Sequence, residues 1–172
     1  MPIVGHVVHM PSHIYVRVGQ YNKAIDSNMR SVKMDSKFLQ IWGNLPFPDI
    51  GTYPLSAKIH PPHAIDFIKY AATVQGNYAV AIDAAEKMEA LMDSNNIGAV
   101  RAQTAFAGPW LVNKIFGKWD KLLDTTPAAT GTPYLDGIWS YSIGSTYVAK
   151  GLLTNARTEL DNIKRILSLD DV

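Results

Sequence analysis

The sequence has no cysteine among its 172 residues. This absence excludes disulfide bonds, thiolate zinc sites and cysteine nucleophiles together. An excess of charge of either sign is also missing, because 16 lysines and arginines stand against 15 aspartates and glutamates. Such a chain has no broad electrostatic field to attract nucleic acid or an anionic membrane surface, and we predict neither as a partner.

Long hydrophobic runs and familiar catalytic motifs are lacking as well. No segment approaches the roughly 18 unbroken apolar residues of a membrane span, and the start of the chain lacks the basic flank and apolar run of a secretory signal. There is no glycine-rich phosphate loop, nucleophile-elbow serine, metalloprotease helix or calcium loop. We therefore expect a cytoplasmic protein, and we predict no catalytic residue, metal ligand or cofactor.

The apolar content of 47% against 18% charged residues is typical of a globular chain, and the length suits one domain spanning residues 1–172. One short pattern occurs four times, around Gly19, Gly76, Gly117 and Gly151. Glycine supplies the left-handed residue that closes a helix. An apolar side chain soon after the glycine would pin the corner. The residue five places after it is alanine in three copies, which would let two helices approach closely, and Leu122 in the third. The pattern predicts an all-α fold of about four stacked antiparallel helical hairpins, without a strand.

Apolar spacing and prolines set the expected bounds of these helices. Gly108-Pro109 predicts two short helices or one sharply kinked helix, and five prolines in residues 43–62 predict an ordered loop. In the last hairpin the expected buried stripe is Ile143, Tyr147, Leu160, Ile163 and Leu167. The expected helices are 11–18, with 6–10 leading in or extending it, then 22–42, 62–75, 77–93, 97–116, 118–124, 134–150 and 153–167.

The repeats resemble tetratricopeptide repeats, whose units are helical hairpins of 34 residues. The interval from Gly117 to Gly151 is 34 residues, whereas the two earlier intervals between the marker glycines are 57 and 41 residues. Residues 19–26 match the turn and second-helix pattern of that family. Further along the same helix the chain has Asn28 where the family prefers an aromatic residue and Ser31 where it prefers alanine. Residues 9–15 are similar to a string found in a group of bacterial tetratricopeptide-like proteins of unassigned activity.

All five histidines lie just before or within the first helix of a hairpin, three in residues 6–13 and two in residues 60–63. Spacings of three and four would place the first three on a single helix face. The resemblance implies a concave groove lined by first helices, which binds a protein or peptide without catalysis. Mapped residue by residue, it implies a groove lined by His6, His9, His13, Arg17, His63, Asp66, Tyr70 and Tyr141.

Three interpretations of the histidines stay open. They cap helix ends and brace the neighbouring loop; or they contact a peptide; or they serve a metal-dependent or small-molecule enzyme, since neutral imidazoles suit transition metals and acid–base work. The spacing is not a diagnostic metal motif, and Pro11 interrupts the presumed helix. A structural protein that assembles as a homodimer is a further alternative, because an open helical array tends to bury its end against a second copy.

Overall fold

The computed structural model describes residues 5–42, 60–127 and 130–169, and these ranges contain helices and no strand. The predicted all-α fold is confirmed, and no helix in these ranges is long and apolar enough to cross a membrane. Most of the predicted proline-rich loop lies outside the described residues. The helices are α1 (Gly5–His9), α2 (Ser12–Arg17), α3 (Tyr21–Trp42), α4 (His60–Gln75), α5 (Tyr78–Ala90), a 3-10 turn (Ser94–Asn96), α6 (Val100–Ile115), α7 (Trp119–Leu123), α8 (Pro133–Ala149) and α9 (Leu153–Leu167).

The four marker glycines form the corners of the hairpins, as predicted. Gly19, Gly76, Gly117 and Gly151 all have a positive φ, between 64° and 80°. At each corner the N–H after the glycine donates to the carbonyl five residues earlier, at 2.8 Å. This is the Schellman ending of a helix, which satisfies carbonyls that a helix end leaves unpaired. The residue five places after the glycine is buried in the first three copies and partly buried in the fourth.

The chain divides into two compact units, Met1–Lys87 and Met88–Val172. In the first unit α1 and α2 pack along α3, and α3 packs against α4. Four alanines in these helices, Ala24, Ala64, Ala71 and Ala72, have no exposed surface. Side chains this small let helix backbones approach closely, so α1, α2 and α4 are all tied to the long helix α3.

In the second unit α6 packs against α7 and α8, and α8 packs against α9. The core includes Trp110, whose ring meets Trp139 edge to face with centroids 5.2 Å apart. α6 is a single helix although Pro109 lies inside it. A proline costs a helix interior about 3 kcal/mol, and here the residues from Ala105 to Val112 are nearly all buried, so packing offsets that cost.

The predicted buried stripe of the last hairpin is partly wrong. Ile143 is buried, but Leu160 and Leu167 are 50% and 69% exposed. The face of α9 next to α8 includes Glu159, since a Cβ on Gly144 would lie only 3.0 Å from the Cβ of Glu159, and Ile166 is the buried residue of this helix. The missing side chain on α8 lets α9 approach along the Glu159 face, and this leaves part of its leucine stripe uncovered.

Two glycine substitutions in the last hairpin test the corner assignment. We expect Gly151→Ala to lower the free energy of unfolding by about 1–2 kcal/mol, because φ is +74° there and an L side chain is strained. Gly137→Ala, in the interior of α8 with no atom within 4 Å of its new Cβ, should raise it by about 0.5–1 kcal/mol. Urea denaturation compares the two variants, and equal destabilisation by both would contradict the assignment.

Candidate functional site

A break between α1 and α2 lies at the centre of the first histidine group. α1 ends at His9, and the backbone N–H of His13 donates to Met10 O at 3.2 Å, in a turn around Pro11. The residues before Pro11 therefore form a separate short helix that leads into α2 and does not extend it. The imidazoles still meet, because the Nε2 atoms of His9 and His13 are 2.9 Å apart. The ring of His6 lies further away, with its centroid 6.1 Å from that of His9.

The position of α1 is set by a row of polar side chains on α3. Ser27 Oγ donates to Val8 O at 2.5 Å, and Ser31 Oγ donates to Gly5 O at 2.8 Å. The N–H of Gly5 donates to the carboxylate of Asp35 at 3.1 Å, which satisfies a donor at the beginning of α1. These three side chains are four residues apart and share one face of α3. A five-residue helix has little stability of its own, so α3 determines where it lies.

Asn28, on the same helix, fixes the protonation of His9. Both residues are fully buried. The Nδ2 group of Asn28 donates to Ala24 O at 2.8 Å, so its Oδ1 faces His9 Nδ1 at 2.6 Å. An amide oxygen only accepts hydrogen bonds, and therefore His9 Nδ1 carries the proton. In the neutral ring the lone pair is then on Nε2, where it accepts the Nε2–H of His13.

The first helix of the second hairpin brings His63 to the same place. Its ring centroid is 4.7 Å from that of His9 and 6.0 Å from that of His13. Phe67, one turn further along α4, packs edge to face on all three imidazoles at 4.6 to 5.1 Å. His13 and His63 are partly exposed, whereas His9 is buried. The cluster is thus closed at His9 and accessible at the edge formed by the other two rings.

The three imidazoles can converge on a metal ion. One nitrogen from each ring lies within 4.8 Å of the others. Metal–nitrogen bonds of 2.0–2.1 Å place two ligands of a tetrahedral ion about 3.3 Å apart, so small rotations of the rings are enough. The bond from His9 Nδ1–H to an amide oxygen is the kind of outer contact that orients a metal-bound histidine. Within the described residues no other group of three or more such side chains has this geometry.

The other residues of the predicted groove have more ordinary surroundings. Arg17 is exposed at the end of α2, and Tyr70 on α4 is 54% exposed. Asp66 forms an ion pair with Lys69, at 2.6 Å. Tyr141 belongs to α8 in the second unit. Of the predicted set, the structure therefore brings together His9, His13 and His63, with His6 nearby.

Sequence reasoning missed Asn28 and Phe67 as members of this site. In the sequence Asn28 stands out only as a departure from the tetratricopeptide pattern. A buried asparagine indicates a specific hydrogen bond, because a buried amide costs free energy unless it is satisfied. Phe67 gave a weaker signal, since its spacing of four from His63 is also that of ordinary helix packing.

The second unit carries a groove along α8 and α9 with a volume of about 380 Å³. Tyr141 lines it, and the amine of Lys114 lies 4.0 Å from the centre of the tyrosine ring. The groove mixes apolar and polar side chains, among them Val148, Leu153, Leu160, Ser145, Arg157 and Glu159.

No known protein family, curated protein or solved structure matches the chain. The resemblance to tetratricopeptide repeats stays a prediction, and a functional hypothesis depends on the geometry of the histidine cluster.

The hydrogen-bond network predicts opposite tautomers for two histidines of the metal-free protein. Under conditions where the imidazoles are neutral, we expect long-range ¹H–¹⁵N NMR to find the proton of His9 on Nδ1 and that of His13 on Nε2. Asn28→Ala removes the acceptor of a buried donor, so the free energy of unfolding should fall by about 1–3 kcal/mol. Ser36→Ala, an exposed position on the same helix, should change it by less than about 0.5 kcal/mol. A proton on Nε2 of His9 would contradict the assignment.

Proposed function

We propose that this protein binds a divalent transition-metal ion through His9, His13 and His63, and that its activity depends on that ion. The observation that carries the proposal is the convergence of three imidazoles from α1, α2 and α4, one of them already held in the tautomer that a ligand needs. A cluster that only braced the fold would not require a ring nitrogen of the buried His9 to face that of His13 at 2.9 Å beside a third imidazole.

In the metal-free protein a proton occupies the space between His9 and His13. Their Nε2 atoms are 2.9 Å apart, so one of them must carry the hydrogen. A metal ion takes the place of that proton, which moves to Nδ1 of His13, so that His13 coordinates through Nε2 as a neutral imidazole. Conversion of an imidazole to imidazolium removes the lone pair that binds the metal, and binding therefore weakens as the pH is lowered.

The composition of the cluster favours some ions over others. Within the described residues it offers three imidazoles and no carboxylate, and the chain has no thiolate. Imidazole suits Zn²⁺, Cu²⁺, Ni²⁺ and Fe²⁺, whereas Mg²⁺ and Ca²⁺ prefer oxygen ligands. Zn²⁺ is the natural probe, because it accepts three histidines without a demand for one particular geometry.

Burial separates this proposal from a peptide groove at the same place. His9 has no exposed surface, so a peptide side chain cannot reach it without displacing α1 or α4. An ion is small enough to enter between the partly exposed rings of His13 and His63. The same contacts that keep a peptide out hold His9 in position for a metal.

Equilibrium dialysis with Zn²⁺, followed by elemental analysis, tests the proposal. We expect one tightly bound ion per chain, and loss of that ion in His9→Ala, His13→Ala and His63→Ala. Asn28→Ala keeps the three ligands but releases the orientation of His9, and should weaken binding by about 10–100-fold. His6→Ala is the matched control, because its ring lies beside the cluster but is not one of the three, and it should keep the ion.

Wild-type protein without stoichiometric Zn²⁺ would refute the metal site. Equal loss of the ion in His6→Ala and in the three ligand variants would show that the ligand set is wrong. Circular dichroism of each variant separates loss of a ligand from loss of the helical fold.

The second candidate function is binding of an extended peptide, supported by the groove along α8 and α9. Its exposed leucines and the tyrosine provide apolar contact, and its serine and charged side chains can bind a peptide backbone. Selection from a displayed peptide library should enrich peptides whose binding is lost in Leu160→Asp. Leu123→Asp, at an exposed leucine outside the groove, should retain it. No enrichment, or equal loss in both variants, would count against this candidate.

A further inference from the structure

The geometry points to a metal centre with one coordination position left open, which we propose accepts a small anion. This inference rests on the proposed metal binding and specifies what kind of ligand that site would take. It concerns a reactive centre, as opposed to an ion that only holds helices together.

The number of protein ligands indicates whether a coordination position is open. Structural zinc sites have four protein ligands, and catalytic ones have three with a fourth position for water or substrate. The described part of the chain offers three nitrogen donors at this place. The nearest amide oxygen, Oδ1 of Asn28, already accepts the hydrogen of His9 Nδ1 and lies on the far side of that ring. It is therefore an outer contact of His9 and does not complete the coordination.

The charge of the site favours an anion at the open position. Neutral imidazoles do not offset the double charge of the ion, the described residues place no carboxylate with them, and the amide of Asn28 behind His9 is neutral as well. Asp66 is the acidic residue one turn after His63, and it is paired with Lys69 at 2.6 Å, so its charge is compensated locally. An anion at the open position is then attracted to a net positive centre, in surroundings where burial strengthens the interaction.

Access to the metal ion limits the size of the ligand that can bind it. His13 and His63 are partly exposed whereas His9 is buried, so we expect a ligand to approach the ion from the side of those two rings. Phe67 packs against all three rings and forms an apolar wall on one side. A wall this close restricts the site to small ligands, and an anion that binds through one oxygen or nitrogen fits it best.

Cobalt substitution tests the open position directly. Co²⁺ replaces Zn²⁺ in three-histidine sites, and its visible absorption depends on coordination number and on the identity of each ligand. We expect Co²⁺-loaded protein to show bands that change in a saturable way on titration with azide and with inorganic phosphate. Co²⁺ in buffer with the same anions is the control for binding outside the protein, and Asn28→Ala loaded with excess Co²⁺ should still respond.

Each failure has a distinct meaning. If the protein takes up no Co²⁺ or Zn²⁺, the proposed function itself is wrong. If Co²⁺ binds with an intense four-coordinate spectrum that neither azide nor phosphate alters, the metal site stands and the open position is overturned. If His6→Ala then gains the missing response, His6 is the fourth ligand and the centre is a structural one.

Discussion

The hydrogen bond between the imidazole of His9 and the amide of Asn28 is the contact on which the whole site depends. Both groups are fully buried, where a polar pair is stabilising only when each member is satisfied. Asn28 has its own orientation imposed by the carbonyl of Ala24, one turn earlier on α3. The direction of a lone pair in the histidine cluster is thus determined by the backbone of a helix that supplies none of the three imidazoles.

The same helix positions the scaffold around that lone pair. Ser27, Ser31 and Asp35 bind backbone atoms of α1, and together they replace the stability that a five-residue helix lacks. Polar side chains on one face of α3 therefore hold α1 in place, as apolar side chains hold the other helices together. A polar seam holds its partner in a single register, because each donor has one acceptor within reach. That precision suits a ligand site, since a loose helix would move His9 by more than a bond length.

The features that the sequence could predict are those that depend on residues close together along the chain. The corners were predictable because a left-handed glycine and the residue five places later are local features, and Gly19 and Gly76 lie where expected. The contact between His9 and His13 was predictable for the same reason. The approach of His63 was predictable only through the resemblance, which places it in the same groove, because no local signal tells how α4 packs against α3, more than fifty residues along the chain from His9. The apolar stripe of α9 misled because period alone does not tell which of two faces meets α8.

The departures from the repeat pattern are the most informative part of the sequence once the structure is known. Asn28 stands where the tetratricopeptide pattern prefers an aromatic residue, and Ser31 where it prefers alanine. Each of the two residues forms a hydrogen bond to α1 where an apolar side chain would form only a packing contact, and this favours one specific arrangement over generic packing. A chain that only needed stacked hairpins would gain nothing from that exchange, because buried polar groups cost free energy wherever they are not fully paired. The exchange makes physical sense if α1 has to present a histidine in one orientation and one tautomer, and a metal ion requires both of these.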